Sequence, residues 1–154
     1  MDLVRIASVA AQECVKQEVG VNELSNLLAA YNYVSQMGIE DRFDFFTIGR
    51  MIEPSNGNCF RHIPVIFKSG GTSASPQEIP RLMDRLIEHL AYYQRQHPVN
   101  QTVLRERLVK DFLWIHPFID GNGRTAWILW NWLNGTMDSP TNLPDFFGES
   151  DSRG

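Results

Sequence analysis

The chain has 154 residues, 43% of them hydrophobic and 21% charged, a composition typical of one soluble domain with a single core. Its net charge of -4 at pH 7 lacks the basic excess expected of a nucleic-acid-binding protein, and no apolar run is long enough to suggest a membrane partner. Two cysteines, Cys14 and Cys59, are too few for a disulfide framework or a zinc site. We therefore expect a reducing, cytoplasmic location, or the cytoplasm of a host if the protein is secreted or viral.

The first third of the chain predicts three helices. Apolar residues recur at helical spacing from about Asp2 to Glu18 and again after Asn22, which can cap the second helix. A short third helix is predicted from Asp44 to Met51, before Pro54 stops it. These helices would bury one apolar face each and so share a core.

Residues 55–68 change character and predict a small β-hairpin. Asn56 and Gly57 form a dipeptide typical of turns, and residues 59–67 are rich in β-branched and aromatic side chains, with Pro64 suited only to an edge or a turn. A hairpin with an exposed edge can accept an extended segment of another protein as an added strand. Alternatively, the hairpin only covers the core.

The second half of the chain predicts three more helices. A long one starts near Ser75, or four residues later if Pro80 sets its start. The next helix opens near Asn100 and ends at His116, and the last helix leaves from about Asn122. Two helices therefore enclose the loop between them.

The single domain is predicted to cover residues 1–135. Residues 136–154 contain proline, serine and acidic residues, and we expect a C-terminal tail that is partly disordered. Leu143, Phe146 and Phe147 are the tail residues that could pack back onto the core.

The loop between the last two helices, residues 116–124, concentrates reactive side chains. His116 can accept a proton near neutral pH, and Asp120 offers the hard oxygen ligands that Mg²⁺ prefers. Arg124 offers a planar fork for phosphate oxygens. These residue types suit phosphoryl-group chemistry, which depends on positioning and charge neutralisation.

The remaining residues of this loop shape its backbone. Gly121 and Gly123 permit conformations that turn successive N–H groups toward an anion, and a helix that starts near Asn122 adds its N-terminal dipole. Phe118 has no chemistry of its own and is predicted to anchor the loop to the core. In the simplest alternative, the loop is only a helix-loop-helix turn in which His116 and Asp120 cap helix ends.

The order of these residues resembles the loop of the Fic family, His-x-Phe-x-(Asp or Glu)-Gly-Asn-Gly-Arg-x-x-Arg. The chain matches every fixed position except the last, where Trp127 stands. The resemblance implies a mainly α, Fic-like helical bundle with a small β-hairpin flap. It also implies transfer of a nucleoside monophosphate, most simply AMP from ATP with Mg²⁺, to a hydroxyl side chain of a target protein.

The resemblance assigns roles to individual residues. His116 would take the proton of the attacking hydroxyl, and Asp120 would hold Mg²⁺. The phosphates would be bound by Gly121, Asn122, Gly123 and Arg124. The flap would dock the target protein, and the Gly-x-x-Phe-Arg pattern that marks it in the family places Phe60, Arg61, Ile63 and Val65 there.

Trp127 departs from the family pattern. The arginine expected there contacts the terminal phosphate of the nucleotide and, in many members, pairs with a glutamate of an inhibitory helix of pattern (Ser or Thr)-x-x-x-Glu-(Gly or Asn). That pattern is absent near both ends of this chain, so we expect no built-in brake and consider a separate inhibitory partner. Trp127 itself could stack on a base or simply pack.

Other functions remain compatible with the sequence. A Fic-like enzyme could use another donor and transfer a different nucleotide, phosphate or phosphocholine. The domain could also be a non-catalytic binding module, although four intact loop residues argue for catalysis. The absence of a Gly-x-x-x-x-Gly-Lys-(Ser or Thr) loop argues against a P-loop NTPase.

Overall fold

The computed structural model describes residues 1–38, 41–67, 70–95 and 101–147. It is mainly α-helical, as predicted, and none of the helices in these ranges is both long enough and apolar enough to cross a membrane. Single turns of 3₁₀ helix lie at Pro54–Asn56 and Pro76–Glu78. The α-helices are α1 (Leu3–Lys16), α2 (Val21–Ser35), α3 (Phe45–Ile52), α4 (Ile79–Arg95), α5 (Gln101–Ile115) and α6 (Asn122–Asn134).

Two helix starts show how local polar groups set these bounds. Asp44 caps α3, because its carboxylate accepts a hydrogen bond from the backbone N–H of Thr47 at 3.2 Å. Helix α2 begins one residue before the predicted cap, Asn22. There the carboxylate of Glu23 reaches back to the backbone N–H of Gly20 at 3.1 Å, so Gly20 takes the cap position.

Helix α6 is the centre of the fold. Eleven of its residues are buried, and it packs against α1, α2, α3 and α5. A helix buried on nearly every side is a core element rather than a surface helix. Because the loop of residues 116–121 leads directly into α6, that loop is attached to a deeply buried helix of the core.

The predicted β-hairpin at 55–68 is not confirmed. Within the described ranges the β structure is one isolated antiparallel bridge, between Ile66 and Thr72. Asn56 and Gly57 instead close a 3₁₀ turn, and the backbone N–H of Arg61 donates to the carbonyl of Pro117 at 2.8 Å. The segment therefore pairs with the loop before α6 at Arg61, and only its end, residues 65–67, pairs with residues 71–73. Residue 68 lies outside the described residues.

The chain after α6 packs back onto the helices. The carbonyl of Asp138 accepts from the backbone N–H of Asp2, and the amide of Asn142 donates to Glu13 in α1 at 3.0 Å. Leu143 is only 2% exposed. Residues 136–143 thus cover α1 and α6. The end of the predicted tail, residues 148–154, lies outside the described residues.

Candidate active site

The loop of residues 116–121 is fixed from inside by Phe118 and Asn122. The Phe118 ring is fully buried, and a Cβ added to Gly49 of α3 would lie only 2.6 Å from it, so α3 needs a glycine there. The Asn122 amide accepts from the backbone N–H of Phe118 at 3.0 Å and donates to its carbonyl at 2.9 Å. The Asn122 side chain therefore closes the loop through two hydrogen bonds, and its phosphate contact stays a prediction.

His116 follows the last residue of α5 in a left-handed backbone conformation, with φ of 52°. Its side chain is only 4% exposed, and the Phe67 ring lies edge-on to it at 5.5 Å between centroids. Burial lowers the pKa of the imidazole to about 4, with the nearby positive charge of Arg61 acting in the same direction; the Leu113 carbonyl and the Asp120 carboxylate act in the opposite one. The ring is therefore neutral at pH 7 and can accept a proton.

Arg61 fixes the backbone beneath His116. Its side chain is 1% exposed, so it offers almost no surface for the predicted docking of a target protein. The guanidinium instead donates hydrogen bonds to acceptors on both sides of the loop. A buried cation needs several hydrogen bonds to offset its desolvation. Those acceptors are the carbonyl oxygens of His116 (2.5 Å), Ile115 (3.1 Å), Ile63 (2.7 Å) and Ala74 (2.6 Å) and the Ser73 hydroxyl (2.8 Å).

Asp120 and Arg124 lie at the start of α6. Their side chains approach to 3.3 Å, between Oδ1 of Asp120 and Nη2 of Arg124, and the backbone N–H of Gly121 donates to the same Oδ1 at 2.7 Å. Arg124 is fully buried, whereas the Asp120 side chain is 47% exposed. The Nε and Nη1 atoms of Arg124 have no hydrogen-bond partner among the described residues. A buried cation with unused donors is suited to bind an anion.

The backbone at the start of α6 adds further donors. Gly121 has a φ of 81°, and no side chain caps this helix start, where α6 spans Asn122–Asn134. The first N–H groups of a helix have no intrahelical acceptor, and the helix dipole makes this end positive. The backbone around Gly121 and Gly123 and the guanidinium of Arg124 thus form a positive end of α6, close to His116.

Trp127 lies in the core and not beside this positive end. Its side chain is fully buried and stacks on Tyr31 of α2 at 5.1 Å between ring centroids. Its indole N–H donates to the carbonyl of Thr141 at 2.8 Å. The side chain thus packs, and stacking on a nucleotide base would require it to leave the core.

The other residues assigned to the flap divide into buried and exposed ones. Phe60 is half-buried and stacks on Phe46 at 4.6 Å between centroids. Val65 is half-buried, whereas Ile63 is 59% exposed. Ile63 therefore keeps most of its apolar surface for another protein, and the half-buried Phe60 and Val65 keep part of theirs.

Asp120 is the loop residue that fits a divalent cation. Within the described residues, no group of three or more His, Cys, Asp or Glu side chains is placed to hold a metal ion. Mg²⁺ commonly binds through one or two carboxylates together with substrate phosphates. The half-exposed carboxylate of Asp120, next to the positive end of α6, fits that second arrangement.

Sequence reasoning did not identify Asn56 as part of this region. It predicted only a hairpin turn there, but the Asn56 side chain is 2% exposed and hydrogen-bonds to the backbone of Asp120. An Asn-Gly dipeptide strongly indicates a local turn, and nothing in that pattern indicates the long-range contact.

Comparison with known proteins agrees with this arrangement. A family model described as the Fic/DOC family matches residues 39–133, more than half of the chain. Protein adenylyltransferase Fic of Drosophila willistoni is 39% identical over 85 residues, which are 53% of this chain and 16% of the relative. The protein of the same name from Culex quinquefasciatus is 32% identical over 125 residues, which cover 73% of this chain and 24% of the relative.

A solved structure shares the fold. A Fic family protein from Desulfovibrio desulfuricans G20 superposes with a TM-score of 0.61 at 17% identity, over 82% of this chain and 42% of that chain. The chain therefore matches less than half of that protein and about a quarter or less of the curated relatives named above. The family match and the shared fold lead to one conclusion: the chain belongs to the Fic/DOC family.

Proposed function

We propose that this domain transfers AMP from ATP to a hydroxyl side chain of a target protein. The observation that carries the proposal is the arrangement around Arg124, a fully buried guanidinium with two unpartnered nitrogens at the uncapped start of α6. The triphosphate of a nucleotide is an anion that such donors can bind. The names of the relatives, Protein adenylyltransferase Fic, support the choice of ATP.

His116 acts on the acceptor. Its neutral imidazole takes the proton of the target hydroxyl as that oxygen bonds to the α-phosphorus and the bond from phosphorus to the diphosphate oxygen breaks. Arg124 and the N–H groups at the start of α6 stabilise the charge that develops on the phosphates.

Asp120 would hold Mg²⁺ together with the nucleotide. The ion would neutralise phosphate charge and favour departure of the diphosphate. Because one carboxylate alone binds Mg²⁺ weakly, we expect the ion and the nucleotide to bind jointly.

The target protein would contact the exposed side chain of Ile63 and the half-buried side chain of Val65. A separate protein could inhibit the domain, since the inhibitory helix pattern is absent from this chain.

The test is transfer of label from α-³²P-ATP with Mg²⁺ to the domain itself and to proteins of a cell lysate. Wild type should label a protein, His116→Ala should not, and His89→Ala should behave like wild type because His89 is exposed in α4, outside the loop and the docking segment. His116→Ala should still bind nucleotide, measured by calorimetry, because the imidazole acts on the acceptor.

Label in His116→Ala at the wild-type level would contradict the role of His116. No label with α-labelled ATP, but label with another nucleotide, would mean that the donor is that nucleotide. Label with γ-labelled ATP alone would mean that phosphate is transferred instead of AMP. Folded protein that binds no nucleotide at all would refute the enzyme and favour a binding module.

A further inference from the structure

The Asn56 side chain hydrogen-bonds to both the backbone N–H and the backbone carbonyl of the loop residue Asp120. The Nδ2 of Asn56 donates to the carbonyl of Asp120 at 2.9 Å, and the backbone N–H of Asp120 donates to the Oδ1 of Asn56 at 3.3 Å. The two residues are 64 positions apart in the chain. This two-point contact fixes the peptide groups before and after Asp120, as a neighbouring strand would.

Asn56 is itself held in place. Its side chain is 2% exposed, and its Nδ2 also donates to the carbonyl of Gly49 in α3 at 3.1 Å. Gly49 is the residue against which the Phe118 ring packs. The loop is therefore tied to α3 twice, by an apolar contact at Phe118 and by a polar one through Asn56 to Asp120.

The hydrogen bonds from Asn56 are the contact that affects the position of the Asp120 carboxylate. Asp120 lies between Ile119, which is 57% exposed, and Gly121, whose φ is 81°. Its own side chain is 47% exposed and bonds to Gly121 and Arg124, which is not enough to fix the backbone that carries it. Buried hydrogen bonds to that backbone limit where the carboxylate can be.

We propose that Asn56 is a positioning residue for Asp120 and sets the place at which that carboxylate binds a divalent cation together with nucleotide phosphates. The inference rests on the proposed function, because it assigns Asp120 its role there. Residues that orient a metal ligand typically change metal affinity by about ten- to a hundredfold when they are removed.

The test compares Asn56→Ser with Asn131→Ser. Asn131 is a matched control, since it is also a fully buried asparagine with hydrogen bonds to backbone groups, but those bonds tie α6 to Thr141. For each protein, calorimetry gives the Kd for ATP without and with Mg²⁺. The ratio of the two values is the Mg²⁺-dependent gain in affinity, which a general loss of stability would not change.

We expect Asn56→Ser to lower this gain at least tenfold and to leave the affinity without Mg²⁺ within about twofold, because Arg124 is untouched. Asn131→Ser should keep the gain of wild type. Asp120→Asn should lose it, and the double variant Asn56→Ser with Asp120→Asn should lose no more than Asp120→Asn alone.

Several outcomes would overturn the inference. A wild-type gain in Asn56→Ser, or a double variant that loses clearly more than Asp120→Asn, would mean that Asn56 does not act through Asp120. If wild type bound no nucleotide, the proposed function and this inference would both be refuted. A failure of the inference alone is thus distinct from a failure of the proposed function.

Hydrogen exchange provides a readout that needs no ligand and no variant. In wild type, the backbone N–H of Asp120 should exchange at least tenfold more slowly than an unbonded amide, because it donates to Asn56. Exchange at the rate of a free amide would overturn the inference even if Asn56→Ser failed to fold. In a folded Asn56→Ser variant this protection should be lost, and in Asn131→Ser it should remain.

Discussion

The buried imidazole of His116 makes the stability of the fold depend on pH in a definite direction. Burial lowers its pKa from 6.5 to about 4. As the pH falls below 6.5, the unfolded chain binds a proton that the folded protein does not, so the free energy of unfolding decreases between pH 6.5 and pH 4. Above pH 6.5 this contribution is fully present.

The magnitude follows from the size of the shift. One pKa unit corresponds to about 1.4 kcal/mol, so a shift of about 2.5 units is worth about 3 kcal/mol in total. Between pH 7 and pH 5 the two proton-binding curves give a loss of about 2 kcal/mol. This is a large fraction of the stability of a typical domain.

The assay is denaturant unfolding at pH 7 and pH 5 for wild type, His116→Asn and His62→Asn. Asparagine tolerates the positive φ of position 116 and does not titrate, whereas His62→Asn controls for loss of an exposed histidine. The stability lost by wild type between the two pH values should exceed that lost by His116→Asn by about 2 kcal/mol. Equal losses in these two proteins would refute the reasoning.

Other substitutions test the contacts around the loop. Arg61→Lys should lower the free energy of unfolding by about 3 kcal/mol or more, because an ammonium cannot serve acceptors on both sides of the loop; a loss below about 1 kcal/mol would contradict this. Gly121→Ala should cost about 1–2 kcal/mol, since φ is 81° and the new Cβ would lie 2.9 Å from Ile52, and equal stability by denaturant unfolding would show that the loop can shift. Trp127→Phe should lower the free energy of unfolding by about 1–2 kcal/mol through loss of the hydrogen bond to Thr141. Trp127→Arg should lower it clearly more because it buries a cation. The reverse order of melting temperatures would place position 127 at the surface.

The helices were predictable because their determinants are local. Apolar spacing and capping residues such as Asp44 lie within a few positions of the backbone they organise. The hairpin at 55–68 was not confirmed for the opposite reason. Its β-branched pattern is real, but Arg61 hydrogen-bonds to the loop at Pro117 and His116, and only residues 65–67 pair with a neighbouring extended segment, residues 71–73.

The same difference between local and long-range determinants applies to the residues of the candidate site. His116, Asp120, Gly121 and Arg124 stand within nine consecutive residues, so their residue types alone predicted a phosphate-binding loop. The sequence did not reveal the contacts of Arg61 and Asn56, because both side chains bond to backbone groups far along the chain, at separations of 55 and 64 positions. A bond to a backbone carbonyl leaves no pattern in the sequence around its acceptor.

Trp127 shows how the departure from the family motif fits the rest of the fold. The Trp127 indole bonds to Thr141, and the Asn131 amide on the next turn of α6 bonds to the same residue, so the chain after α6 is packed against the face where the motif would place an arginine. In the proposed reaction Arg124 is then the motif arginine left to neutralise phosphate charge. In that reaction a divalent cation at Asp120 would carry a larger share of the charge neutralisation. Nucleotide affinity should accordingly depend strongly on Mg²⁺ and on the side chain of Asn56 that fixes Asp120.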